Sequence, residues 1–164
     1  MPTPGPDPSI RRWRPVPGSE CLITDLGGDG PTAQRLAQMG ILPGTRLRVV
    51  RLAPLGDTLE VAVEQGELLA LRLDELDALG CDYLVLPLAQ VGLWGPGTYR
   101  VRSLSGGHAF VARMQARGLR PGGVLRVMHP GQWPLEVRLE GEARPLILGR
   151  GEAERILVER PDAP

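Results

Sequence analysis

Leu36-Ala37-Gln38-Met39-Gly40-Ile41-Leu42-Pro43-Gly44 returns later in the chain as Met114-Gln115-Ala116-Arg117-Gly118-Leu119-Arg120-Pro121-Gly122. The offset is 78 residues, from Gly40 to Gly118, and it also carries Leu47 to Leu125 and Val49 to Val127. Upstream it carries Cys21-Leu22-Ile23 onto Tyr99-Arg100-Val101. Downstream, Leu59-Glu60-Val61 meets Leu135-Glu136-Val137 at an offset of 76, so one loop is two residues shorter in the second copy. Each copy closes on an apolar run, Tyr83-Leu84-Val85-Leu86 and Ile156-Leu157-Val158. Self-similarity at one fixed period signals a duplicated structural unit.

Within each copy the local chemistry is consistent. Ala33, Leu36 and Ala37 fall at i, i+3 and i+4 and give a short helix one apolar stripe. Pro31 suits its first position, where no N–H is needed. In the second copy Val111 and Met114 take the places of Ala33 and Leu36. Gly40 and Gly118 follow the helices, where a left-handed residue ends an α-helix at little cost only if it is glycine. Pro43-Gly44 and Pro121-Gly122 then fit the two central positions of a type II turn. Around this motif lie segments of period two. They are Arg46-Leu47-Arg48-Val49, Leu59 to Glu64 and Leu135 to Glu140, each burying one face. Strands are also expected at Glu20–Asp25, Thr98–Ser103, Leu68–Arg72 and Arg144–Leu148. One helical turn is expected at Leu73–Leu76 and another at Gly151–Glu154.

Gly (22) and Pro (17) are close to a quarter of the 164 residues, which enforces frequent turns and short elements. Five short strands, one small helix and one helical turn per ~70 residues predict an all-β protein with short helices. The leading fold is two tandem SH3-like small β-barrels, with an OB-like barrel as the alternative. The copies are placed at residues 17–88 and 95–160, with 89–94 as a short linker or packed connector. Residues 1–16 are Pro-rich and expected as a disordered tail, with an interaction arm around Trp13 as the alternative; residues 161–164 form a second tail.

The composition removes several classes of chemistry. Nineteen arginines balance nineteen acids, and there is no lysine, so neither a P-loop lysine nor a Schiff base can occur. Gly27-Gly28 and Gly106-Gly107 lack the spacing of a dinucleotide loop, and none of Ser9, Ser19, Ser103 and Ser105 lies in a nucleophile elbow. No catalytic residue is assigned. His108 and His129 show no paired-ligand spacing and read as surface-loop residues, so no metal ligand and no cofactor are assigned. Cys21, Cys81, Met39 and Met114 could lend soft ligands, but nothing groups them in sequence. Two distant cysteines exclude a dense disulfide scaffold and leave room for one bridge; free buried thiols are the expectation. Arg113, Arg117 and Arg120 could make a basic face on the second helix. With zero net charge it reads as a solvated face paired with Glu142, Glu152 or Glu154, not as a nucleic-acid site. No apolar run reaches the ~20 residues that span a bilayer, and the N-terminus has no secretory layout, so a cytoplasmic protein is expected.

The run Arg35 to Val50 resembles the most recognisable stretch of FeoA domains. The resemblance continues through Ala53-Pro54-Leu55-Gly56-Asp57-Thr58-Leu59-Glu60-Val61 and Leu69-Ala70-Leu71-Arg72, and it covers nearly all of both copies. It implies an SH3-like fold, no catalysis, and support of FeoB, a membrane ferrous-iron transporter with a cytoplasmic GTP-binding domain. The same barrel resembles the C-terminal domain of DtxR-type iron-dependent repressors, so a soluble metal-responsive regulatory module is the alternative. The second copy departs at Arg117, which replaces Met39, and in the shorter loop Pro130-Gly131-Gln132. The expected partner face is Arg35, Met39, Leu42 and Arg46, held by the cap and turn residues Gly40, Pro43 and Gly44; packing of Met39 and Leu42 on the other copy is the alternative. Their counterparts are Gly118, Pro121 and Gly122.

Overall fold

The structure is a computed structural model that describes residues 13–162 except Asp29, Leu55 and Gln65. It divides into two units, Pro15–Val85 and the chain from Leu86 onward together with Trp13 and Arg14. The first unit contains β1 (Glu20–Asp25), α1 (Pro31–Gln38), β2 (Arg46–Leu52), β3 (Thr58–Val63), β4 (Leu68–Arg72), α2 (Leu73–Ala78) and most of β5 (Gly80–Pro87). The second begins with a 3-10 helix, Leu88–Leu93. It continues with β6 (Gly97–Leu104), α3 (His108–Ala116), β7 (Val124–Val127), β8 (Leu135–Leu139), β9 (Leu146–Leu148), α4 (Arg150–Ala153) and β10 (Ile156–Glu159).

Both units carry the same SH3-like antiparallel arrangement. In the first, β1 to β4 pair consecutively and β5 returns beside β1, giving the order β4-β3-β2-β1-β5. In the second the order is β9-β8-β7-β6-β10. The last residues of β5, Leu86 and Pro87, belong to the second unit, where they pair with Val158 and Leu157 of β10.

Period-two alternation decides which side chains go inside. Leu47 and Val49 of β2 and Leu59 and Val61 of β3 are buried, and so are their counterparts Leu125, Val127, Leu135 and Val137. Each such side chain contributes about 1.5–3 kcal/mol relative to exposure. Leu36 and Ile41 close the core from the helix side in the first unit, and Met114 and Leu119 do so in the second.

Four details differ from, or sharpen, the sequence reading. Phe110 is buried while Val111 is only half-buried, so the second helix presents its aromatic residue to the core. Strand β9 begins at Leu146, not Arg144, because Pro145 has no N–H to give to a ladder. Of the two readings of residues 89–94, a short linker or a packed connector, the structure has the second: a 3-10 helix whose Leu88 and Val91 are buried in the second core. Residues 13–16 of the expected tail pack onto the fold. The Trp13 indole is buried, and the Gln90 carboxamide accepts from the Arg14 N–H at 3.1 Å while donating to its carbonyl at 2.7 Å. The remainder of that tail, residues 1–12, lies outside the described residues.

Candidate partner-binding face

The decisive motif folds the same way in both copies. Helix α1 starts at Pro31, buries Ala33 and Leu36, and ends at Met39. Gly40 takes φ +86°, its N–H donates to the Ala37 carbonyl at 3.0 Å, and the Ile41 N–H donates to the Leu36 carbonyl at 3.0 Å. These two bonds form the Schellman cap, and the buried pair Leu36–Ile41 supplies its hydrophobic contact. Gly118 (φ +95°), Gln115, Leu119 and Met114 repeat it with 3.0 Å bonds. The turn follows, with Thr45 N–H donating to the Leu42 carbonyl at 3.0 Å and Gly44 at φ +93°. Gly123 N–H donates to the Arg120 carbonyl at 2.9 Å, with Gly122 at φ +87°. Both turns are tied to the first strand of their unit, because Gly44 and Gly122 donate to the Ile23 and Val101 carbonyls at 2.7 Å.

This scaffold places the four candidate residues differently. Leu42 stands at the mouth of the turn, 50% exposed. Met39 is half-buried at the helix end. Arg46 opens β2, exposed, with its own N–H donating to Glu64 Oε1 at 3.2 Å. Arg35 is engaged in the fold. Its guanidinium forms an ion pair with Glu75, a carboxylate that is only 6% exposed and that also accepts from the Arg72 N–H at 3.1 Å. Glu75 therefore caps α2 and anchors α1 at once. Glu75 escaped the sequence reading, although a Glu in the third position of a helical turn is the signal for such a cap.

The second copy repeats the anchor and changes the surface. Glu152 accepts from the Gly149 N–H at 3.0 Å and pairs with Arg117 at 3.1 Å and Arg113 at 3.9 Å. Arg117 also donates to the Ile147 carbonyl, on the outer side of edge strand β9. Arg113 and Arg155 flank the Phe110 ring at 5.7 and 5.6 Å from its centroid. The equivalent of Arg117 in the first copy is Met39, whose side chain has no N–H to donate. Edge strand β4 faces β3 through alternate residues. Leu73 N–H donates to the Asp57 carbonyl at 2.6 Å, and Val63 N–H to the Glu67 carbonyl at 3.0 Å. By that alternation Leu68 and Ala70 turn their backbone groups away from the sheet, and Leu68 is 55% exposed. Met39 and Leu42 give the first copy an apolar helix end and turn, where the second carries Arg117 and Arg120.

Among the described residues no three His, Cys, Asp or Glu side chains gather as metal ligands; His108 and His129 are both exposed, but only His129 lies in a loop, since His108 opens α3. No helix of the described residues is long and apolar enough to cross a membrane.

The FeoA domain family matches residues 15–82 and again residues 91–160. The chain belongs to the FeoA family. A solved structure similar to it is the iron(II) transport protein A from Clostridium thermocellum. The two are 32% identical, over 90% of this chain and 85% of that one, with a TM-score of 0.54. That coverage runs through both copies. An iron uptake regulatory protein (FeoA) is 28% identical over 46% of this chain and 96% of its own, with a TM-score of 0.40. The FeoA protein from Chlorobium tepidum is 32% identical over 42% of this chain and 65% of its own, with a TM-score of 0.38. No curated protein matches the chain.

Proposed function

We propose that this tandem FeoA protein is a non-enzymatic accessory component of ferrous iron transport. In this reading it acts in the cytoplasm and binds the GTP-binding part of a FeoB-type membrane transporter. The observation that carries the reading is the match of both copies to the FeoA domain family, joined to the similarity to an iron(II) transport protein. Within the chain, the contrast between the copies supports the first as the partner-binding one. Arg117 satisfies its own edge strand and its own acid, whereas Met39 and Leu42 present apolar surface next to the exposed Arg46. Methionine is flexible and polarizable, which suits an adaptable docking surface.

The test is binding of the full chain to the purified cytoplasmic domain of a FeoB-type transporter. Leu42→Glu is expected to weaken binding at least tenfold and to leave the melting temperature nearly unchanged, since its side chain is half in water. Arg120→Glu, at the equivalent place in the second copy, is expected to leave binding intact. Equal binding by wild type and Leu42→Glu would refute this face. No binding by the wild type would refute the partner.

A further inference from the structure

The first copy holds two thiols that the second lacks. Cys21 lies in β1 and Cys81 in β5, strands that pair antiparallel with Cys21 opposite Tyr83 and Ile23 opposite Cys81. The cysteines are therefore diagonal neighbours on one face of the sheet, and their sulfur atoms are 2.7 Å apart. Cys21 is fully buried, while Cys81 is partly exposed. The repeat places Tyr99 where the first copy has Cys21, so no such pair exists in the second unit.

Two chemistries use adjacent thiols, and the geometry separates them. A tetrahedral ion held about 2.3 Å from each of two thiolates keeps the sulfurs roughly 3.8 Å apart. At 2.7 Å there is no room for an ion between them, and no third ligand group accompanies them among the described residues. A covalent bond requires only a small further approach, between strands that are already hydrogen-bonded.

We propose that Cys21 and Cys81 are a modification site, forming a reversible intramolecular disulfide on reaction with a hydroperoxide. The partly exposed Cys81 sulfur attacks the O–O bond, releasing the alcohol, or water from hydrogen peroxide, and becoming a sulfenic acid. The Cys21 sulfur then attacks the Cys81 sulfur; the S–S bond forms, the S–O bond breaks, and water leaves with the thiol proton. Two thiols lose two electrons, and the peroxide gains them. An external thiol reverses the bond by exchange. Cys21 suits the second role. It is fully buried, so a peroxide reaches the partly exposed Cys81 first, and its hydrogen bond with Cys81, and then burial, raise its pKa above the ordinary thiol value. The bond would join the first and last strands of the copy across a separation of 60 residues, restricting the unfolded chain.

The experiment treats the full chain with hydrogen peroxide, blocks remaining thiols by alkylation, and measures the intact mass and the melting temperature. The expected product is monomeric, has lost two hydrogen atoms, takes up no alkylating agent, and melts on the order of 10 °C higher until reductant is added. The Cys81→Ser variant should show none of these changes, and in it the second unit should melt as in the wild type. Alkylation of both cysteines after peroxide, oxygen addition without thiol loss, or disulfide-linked chain dimers would overturn the proposal.

Discussion

Replacing Gly40 isolates one physical term. Its φ of +86° lies in the left-handed region, and a Cβ built there meets nothing within 4 Å. Steric space is therefore available, and the whole cost is backbone conformation. For an L-residue other than Gly, Asn or Asp that cost is about 1–2 kcal/mol. Gly→Ala also removes freedom from the unfolded chain, which offsets about 0.4–1 kcal/mol. Gly40→Ala is thus expected to destabilise the first unit by about 1 kcal/mol. Gly40→Val should cost about 2 kcal/mol or more, because β-branching worsens the same geometry. Gly40→Asn should cost least, since Asn visits the left-handed region readily. Gly118 is the internal comparison. There the φ of +95° comes with a Leu139 methyl 3.1 Å from the new Cβ, so Gly118→Ala should exceed Gly40→Ala. Urea unfolding followed by far-UV circular dichroism measures each difference through the midpoint at constant slope. A Gly40→Ala protein as stable as wild type, or an Asn variant worse than the Val variant, would refute the cap argument.

Arg35→Ala should cost about 1–3 kcal/mol, because it leaves the Glu75 carboxylate, 6% exposed, with one backbone donor in place of two partners. Glu75→Gln in that background should recover part of the loss, and a double-mutant cycle by urea unfolding checks the coupling. Burial raises the Tyr99 pKa above its ordinary value of 10.0, with Arg160 opposing, and burial first and the Cys81 charge second raise that of Tyr83. Between the unfolded and folded pKa values the folded chain holds more protons. Stability from these tyrosines is therefore full below about pH 10 and lost as the pH rises through the folded pKa values. Absorbance titration of phenolate should show both tyrosines ionising later in the folded protein than in urea. Coincident curves would contradict the burial of both side chains.

The repeat, the strand alternation and the Gly–Pro–Gly punctuation are local signals, and they determined the fold class from sequence alone. Gly40, Gly44, Gly118 and Gly122 all take positive φ because a cap and a type II turn demand it within four or five residues. Burial of Leu47, Val49, Leu59 and Val61 follows from a period of two, which needs no knowledge of the partner strand. Tertiary structure decided whatever depends on residues distant in the chain. Arg35 and Arg46 look alike as exposed cations in sequence. Only the packing of α1 beside α2 binds Arg35 to Glu75, 40 positions away. Met39 and Arg117 sit at the same step of the repeat, yet the consequence of the exchange is visible only where Arg117 reaches the outer carbonyl of β9. Cys21 and Cys81 are 60 residues apart, and nothing in their spacing announces contact. The antiparallel return of β5 beside β1 brings their sulfurs together, because strand pairing is set by the summed burial of a whole sheet and not by the neighbours of either cysteine.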